Sequence, residues 1–208
     1  MLRLLGSTRS INVRKVLWTL AEVGAPFAHE ADWGMPARPL SAPEFKALNP
    51  NAMVPVIEDD GIVLWESNTI CRYLAAKYNR IDLLPTSATA RAKVEMWMDW
   101  QATDLNTAWR YAFMALVRQH SNYRDATEVA ASAARWNEVM MRLDAHLARA
   151  NQYAAGAQFT LADIVLGLSA HRWEMTPIAH ANLPHVKVWL ANLRARAAAA
   201  PYLDPRTP

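Results

Sequence analysis

The 208-residue sequence contains a single cysteine, Cys71, so the chain cannot form an internal disulfide. Proteins without disulfides are typical of reducing compartments, and we therefore expect a cytoplasmic protein in which Cys71 is a core residue. No apolar run approaches the roughly 20 residues of a membrane-spanning helix. Near the N-terminus only Leu4 and Leu5 precede polar residues, which is not the pattern of a signal peptide. These absences predict that the protein is neither exported nor held in a membrane.

The sequence also lacks a strong excess of either charge. Its 22 Lys and Arg residues against 19 Asp and Glu residues give a net charge of +3, and no run of basic residues occurs. Because nucleic-acid-binding proteins concentrate basic residues on one surface, we expect no nucleic-acid partner. The six histidines lack the spacing of metal ligands, so we predict no metal site.

The most informative pattern lies in residues 49–78. Residues 54–58 predict a short apolar strand that contains a proline, residues 59–61 a tight turn, and residues 62–65 the returning strand. A helix follows, and we expect Ser67 to be its N-cap. The proline leaves neighbouring backbone groups unpaired, and the helix N-terminus beside them attracts carboxylates. This combination predicts a binding site for a small acidic peptide.

This order of V-P, hairpin, E-S and an I-x-x-Y-L helix resembles the glutathione-binding segment of the glutathione transferase family. The resemblance implies that Pro55 follows a cis peptide bond. It also implies that the main chain of Val54 pairs with the cysteinyl part of glutathione. Glu66 and Ser67 would hold the γ-glutamyl end.

One position departs from the family pattern. Many relatives carry a lysine two residues before this proline, where it reaches the glycyl carboxylate of glutathione, and here that position is Met53. Arg38 is the only basic residue of the neighbouring loop, residues 33–43, and is the candidate to replace the lysine. Weaker glutathione binding, or a different acidic thiol, is the alternative.

Residues 6–12 form the loop in which thiol activation is expected, because a hydroxyl donor near a helix N-terminus favours a thiolate. Ser10-Ile-Asn12 resembles the pattern of the bacterial serine-type, theta-like members of the family. The resemblance implies that Ser10 is the catalytic donor and that Asn12 caps or orients the site. Ser7 and Thr8 remain alternative donors. The loop contains no Tyr or Cys, which argues against a tyrosine-type or thiol-transferase site.

The order of predicted elements gives an α+β fold class. Residues 1–78 predict the β-α-β, loop, β-β-α order of a thioredoxin-like domain. Residues 79–87 are the predicted linker, and residues 88–208 are the predicted all-helical domain. The main predicted elements are strands at 2–5 and 27–32, helices at 12–23, 88–118, 126–150 and 184–199, and a capping box from Thr160 to Asp163.

The resemblance also implies an electrophile site on the early part of the helical domain, facing the Ser10 loop. The candidate residues are Trp109, Arg110, Phe113, Met114 and Arg118. We expect Arg110 and Arg118 to share a face, because helical residues eight apart differ by only about 80° around the axis. Two guanidinium groups in an aromatic pocket would favour a small anionic electrophile, such as a halo-acid.

The sequence therefore predicts a homodimeric glutathione transferase with a role in detoxification. Glutathione would be its co-substrate, and no other cofactor is expected. Two alternatives stay open on the same scaffold. One is a member without catalytic activity that binds hydrophobic or glutathione-linked ligands, and the other is a glutathione-dependent isomerase or peroxidase.

Overall fold

A computed structural model describes residues 1–150 and 152–204 of the chain. The chain divides into two compact units, Met1–Leu84 and Pro85–Pro208. The first unit combines a sheet with helices, and every regular element of the second unit that the structure describes is helical. The predicted α+β fold class is therefore confirmed. Positions 151 and 205–208 of the predicted helical domain lie outside the described residues.

The strands are β1 (Leu2–Leu5), β2 (Phe27–Glu30), β3 (Val56–Asp59) and β4 (Ile62–Trp65). The helices of the first unit are α1 (Ile11–Val23), α2 (Pro43–Leu48) and α3 (Ser67–Lys77). The helices of the second unit are α4 (Ala88–Trp100), α5 (Asn106–Leu116), α6 (Ala126–Leu147), α7 (Leu161–Met175) and α8 (Pro184–Arg194).

The four strands form one sheet in the order β2-β1-β3-β4. Strand β1 is parallel to β2 and antiparallel to β3, and β4 is antiparallel to β3. Helices α1 and α3 pack against each other. Helix α2 contributes Phe45 to a buried cluster with Leu5, Trp33 and Val56. This is the predicted thioredoxin-like arrangement, and the cluster combines aliphatic strand residues with two aromatic side chains from outside the strands.

The long helix predicted over residues 88–118 is interrupted. A π-helical turn, Gln101–Leu105, separates α4 from α5, and α5 already ends at Leu116. At the start of this turn the Gln101 side chain is fully buried and its Nε2 donates to Ser169 Oγ at 3.0 Å. The Thr103 hydroxyl donates to the Asp99 carbonyl, a bond that competes with the helical ladder.

Several predicted ends are also too long. Strand β2 ends at Glu30 rather than 32, α6 at Leu147 rather than 150, and α8 at Arg194 rather than 199. The apolar stripe predicted on α6 is confirmed, because the buried residues of this helix are Trp136, Val139, Met140, Leu143 and Leu147.

The capping box at the start of α7 is confirmed. Asp163 is fully buried, and its Oδ2 accepts a hydrogen bond from Thr160 N at 3.0 Å. Its Oδ1 accepts bonds from Ala154 N at 2.8 Å and Trp189 Nε1 at 3.0 Å. Burial raises the pKa of the Asp163 carboxyl, although these hydrogen bonds act in the opposite direction. One carboxylate thus joins α7, α8 and the preceding loop.

No helix in residues 1–150 and 152–204 combines the length and the apolar character that crossing a membrane requires.

Candidate functional site

Three chain segments of the first unit meet at one end of the sheet. Leu5, the last residue of β1, pairs with Val56, the first residue of β3. Val56 pairs in turn with Trp65, the last residue of β4. The chain that follows β1, the chain that precedes β3 and the chain that follows β4 therefore emerge side by side. We call them the edge segments, which are residues 6–10, 54–55 and 66–67.

Close packing at Gly6 ties two of the edge segments to α1. Gly6 has a φ of 140°, and a Cβ at this position would lie 2.6 Å from Val13 Cγ2 and 2.9 Å from Val54 Cβ. Because Val54 Cβ moves only with its own main chain, the end of β1 and the segment before Pro55 hold each other in place.

Ser10 is the N-cap residue of α1. Its N–H donates to the Ser7 carbonyl at 3.0 Å, and its carbonyl accepts from Arg14 N at 3.1 Å. The Ser10 side chain is half-buried and makes no capping hydrogen bond. By contrast, the Ser7 hydroxyl accepts from Arg9 N at 3.3 Å, and Thr8 is exposed. Of the three candidate donors, Ser10 combines a hydroxyl not used in capping with a place at the helix N-terminus.

Asn12 does not cap the helix, so of the two expected roles only that of orienting the site stays a prediction. Helix α1 begins at Ile11, one residue earlier than expected, so Asn12 lies inside the first turn. Its Oδ1 is buried and accepts no hydrogen bond from the part of the chain that the structure describes. This acceptor lies two residues after Ser10.

The Val54–Pro55 peptide bond is cis. Pro55 precedes β3 rather than lying within it, because the strand begins at Val56. Asn49 stabilises the approach to this bond, since its Nδ2 donates to the Met53 carbonyl at 2.8 Å. No backbone hydrogen bond joins Val54 to another residue of the described chain. Its N–H and carbonyl are therefore available to an extended ligand.

The sequence predicted Ser67 as the N-cap of α3, and this prediction is wrong. Glu66 occupies that position with φ 71° and ψ 107°, and Ser67 is the first helical residue. The Glu66 carbonyl accepts from Ile70 N at 2.9 Å, but its side chain does not cap the helix. Ser67 is buried. Because the N-cap side chain does not cap the helix, the positive end of the helix dipole at this N-terminus favours an anion.

Met53 cannot supply the cation that the lysine of many relatives provides, and Arg38, the candidate to replace it, already has two acidic partners. Met53 is 59% exposed. The Arg38 guanidinium already contacts the carboxylates of Glu30 and Asp32, each at 3.0 Å, and lies 4.0 Å from the Trp33 ring centroid. Two carboxylates thus balance its charge.

The predicted electrophile residues do not share one environment. Trp109 and Phe113 are buried in the second unit, with ring centroids 5.4 Å apart, and Arg110 is exposed. Met114 and Arg118 are half-buried.

The prediction that Arg110 and Arg118 share a helix face is wrong, because α5 ends at Leu116 and helical spacing does not extend to Arg118. The Arg118 guanidinium lies 5.4 Å from the Phe113 ring centroid. The structure therefore associates Arg118 with the aromatic residues and leaves Arg110 in solvent.

Sequence reasoning missed Arg172, which α7 directs into the same aromatic group. Its side chain is almost fully buried, and its guanidinium lies 4.6 Å from the Trp109 ring and 4.0 Å from the Phe113 ring. The only sequence signal was the position of Arg172 in a helix that is mostly apolar from Leu161 to Ala170.

Cys71 is a core residue, as predicted. Its Sγ accepts a hydrogen bond from Thr19 Oγ1 at 3.2 Å, and burial raises the pKa of its thiol to about 11. The side chain is thus a poor nucleophile at neutral pH. No group of three His, Cys, Asp or Glu side chains that would suit a metal ion occurs among the described residues.

Comparison with known families finds two matching profiles. One, for the glutathione S-transferase N-terminal domain, matches residues 9–77. The other, for the glutathione S-transferase C-terminal domain, matches residues 105–197.

Individual relatives match over almost the whole chain. The sequence is 34% identical to glutathione S-transferase GstB of Escherichia coli strain K12, with 95% of each chain covered. It is 37% identical to glutathione S-transferase 3 of Zea mays, with 95% of this chain and 90% of that one covered. The fold is similar to that of a theta class glutathione S-transferase from Xanthomonas axonopodis pv. citri with glutathione bound. That structure matches with a TM-score of 0.91 and 36% identity, over 98% of this chain and 97% of that one.

Proposed function

Because the chain belongs to the glutathione S-transferase family of enzymes, we propose that its edge segments bind glutathione. The bound thiol is then held as a thiolate and transferred to a small electrophile. The observation that carries this proposal is the meeting of the edge segments at one end of the sheet. Each segment offers a different kind of group: residues 6–10 a hydroxyl, residues 54–55 an unpaired main chain, and residues 66–67 a helix N-terminus.

The Val54 main chain and the start of α3 account for binding. An extended peptide pairs with backbone N–H and carbonyl groups, and Val54 offers both beside the cis bond. The α-carboxylate of the γ-glutamyl residue suits the N-terminus of α3, where Ser67 adds a hydroxyl and Glu66 an acceptor for the amino group. These two contacts would hold the cysteinyl main chain and the γ-glutamyl end of glutathione.

Ser10 accounts for activation. A free thiol has a pKa near 8.5, so only a few per cent is thiolate at neutral pH. A hydroxyl that donates to the sulfur stabilises the thiolate preferentially, and the N-terminus of the 13-residue helix α1 adds a favourable dipole. Lowering the pKa by one unit needs about 1.4 kcal/mol.

We expect substitutions at Ser10 and Ser67 to separate activation from binding. Ser10→Ala should raise the pKa of the bound thiol by about 1–2 units and slow conjugation at neutral pH by about 10- to 100-fold, with little change in glutathione affinity. Ser67→Ala and Glu66→Ala should weaken binding by about 5- to 10-fold and leave the thiol pKa unchanged. Thiolate absorbance against pH and calorimetry with glutathione measure the two effects.

Thr8→Ala and Ser7→Ala are the matched controls for the loop. If one of them reproduces the expected Ser10→Ala result while Ser10→Ala behaves as wild type, the donor has been misassigned. If none of the three changes the thiol pKa, the alternative of a ligand-binding protein without catalytic activity gains support. Unchanged affinity in both Ser67→Ala and Glu66→Ala would contradict the binding proposal.

An anionic electrophile, such as a halo-acid, stays a prediction and now depends on Arg118. A charge-assisted contact contributes about 1.5–3 kcal/mol, or about 10- to 150-fold in kcat/KM. Arg118→Ala should therefore lower kcat/KM for halo-acids much more than for neutral aromatic electrophiles. Arg110→Ala is the control, because exposed Arg110 should affect neither. Equal losses on both substrate types in Arg118→Ala would mean that this residue supports only the fold.

From family membership we further infer a homodimer, a cytoplasmic location and a role in detoxification.

A further inference from the structure

We propose that His29 is a positioning residue for thiol activation, acting through the main chain of Gly6 on the loop that carries Ser10. The inference rests on the proposed function, because it concerns the same hydroxyl. It assigns a role to a side chain that the sequence did not single out.

The contact is a hydrogen bond from β2 to the end of β1. His29 Nε2 lies 2.9 Å from the Gly6 carbonyl oxygen. Since a carbonyl oxygen can only accept, Nε2 must carry the hydrogen and donate it. Neighbouring parallel strands normally bond through their main chains. The bond from the His29 side chain to Gly6, the residue that follows β1, is therefore additional to the ladder.

This bond is one of a connected set that fixes the start of the loop. Gly6 N donates to the Glu30 carbonyl at 3.0 Å, and Ser7 N donates to the Trp33 carbonyl at 3.1 Å. The peptide unit between Gly6 and Ser7 is therefore held at its carbonyl by His29 and at its N–H by the loop after β2.

The same set continues to the candidate catalytic residue. The Ser7 carbonyl accepts from Ser10 N at 3.0 Å, and the Ser10 carbonyl accepts the first bond of α1 from Arg14 N. A rotation of the peptide unit between Gly6 and Ser7 would thus move the acceptor on which the position of Ser10 depends. Gly6 is also buried against Val54, so it has little freedom to adjust in another way.

Hydrogen bonds weaken steeply when donor and acceptor are misaligned. A bond to a charged acceptor such as a thiolate is stronger than one between neutral groups, so more is lost when it is misaligned. Loss of the His29 bond should therefore lower thiolate stabilisation by Ser10 more than it lowers glutathione affinity. The affinity depends on groups of the other two edge segments.

The test compares two variants of His29. His29→Phe keeps an aromatic ring of similar size without a donor, and His29→Gln keeps a donor that can reach the Gly6 carbonyl. We expect His29→Phe to raise the pKa of the bound thiol by about 0.5–1 unit and lower kcat at pH 7 by about 3- to 10-fold, with KM for glutathione changed less than twofold. His29→Gln should restore the wild-type thiol pKa at least in part.

Two results would overturn the inference. One is an unchanged thiol pKa in His29→Phe, and the other is an equal rise in both variants, which would tie the effect to the ring rather than to its donor. Ser10→Ala, measured alongside, separates this failure from that of the proposed function. If Ser10→Ala raises the thiol pKa and His29→Phe does not, only the role of His29 is lost. If Ser10→Ala has no effect, Ser10 is not the donor and the role of His29, which acts through it, fails with it, whereas glutathione binding is judged separately by Ser67→Ala and Glu66→Ala.

Discussion

Replacing Asp163 by alanine should lower the free energy of unfolding by about 3–5 kcal/mol. The carboxylate is fully buried and accepts hydrogen bonds from Ala154 N, Thr160 N and Trp189 Nε1. Alanine leaves these three donors without an acceptor in a region closed to water, and each buried unsatisfied group costs about 1–3 kcal/mol. Urea unfolding followed by circular dichroism gives the difference.

Asp125 provides the matched control. It is also a carboxylate at a helix start, where it accepts hydrogen bonds from Thr127 N at 2.8 Å and Glu128 N at 3.2 Å, but it is exposed. Asp125→Ala should cost only about 1 kcal/mol, because water replaces the lost acceptor. Equal losses in Asp125→Ala and Asp163→Ala would show that the capping box contributes as a local cap and does not connect the helices.

Elements that depend on local chemistry were predictable from the sequence. The turn predicted at residues 59–61 is present but one residue shorter, because Asp59 is the last residue of β3 and only Asp60 and Gly61 adopt the positive φ angles that the turn needs. The capping box and the stripe on α6 follow from helical spacing and side-chain reach, so they too were found. Each of these features is decided by residues that are close in the sequence.

Elements that depend on distant contacts were not predictable in the same way. No sequence pattern between residues 88 and 118 predicts the π-helical turn, because the buried Gln101 at its start is hydrogen-bonded to Ser169, a distant residue on α7. The early end of α5 removed the expected alignment of Arg110 with Arg118. The stacking of Arg172 on two aromatic rings likewise depends on helix packing.

The candidate site illustrates both cases. The V-P and E-S pairs and the Ser10 loop were identified by family resemblance, but what brings them together is the strand register, which is not encoded in any one of them. The role proposed for His29 could not be predicted from the sequence, because its hydrogen-bond partner is a main-chain carbonyl, a group that every residue carries.

The Gly6→Ala substitution should destabilise the protein by about 1–3 kcal/mol more than Gly156→Ala. The two glycines have nearly the same φ, 140° and 145°, in a region that other residues adopt only at a cost of about 1–3 kcal/mol. A Cβ on Gly156 meets nothing within 4 Å, so that variant measures the backbone cost alone. A Cβ on Gly6 overlaps Val13 and Val54, which adds an overpacking cost of about 1–3 kcal/mol.

The same pair of variants tests whether this packing supports the site. Val54 Cβ can withdraw from a new methyl group only if its main chain moves, and that main chain is the proposed partner of glutathione. Gly6→Ala should therefore weaken glutathione binding about 10-fold or more, whereas Gly156→Ala, in the loop before α7, should not change it. Urea unfolding and calorimetry measure the two effects. If both variants lose the same stability and keep wild-type affinity, Val13 and Val54 yield without cost, and the close approach at Gly6 does not hold Val54 in place.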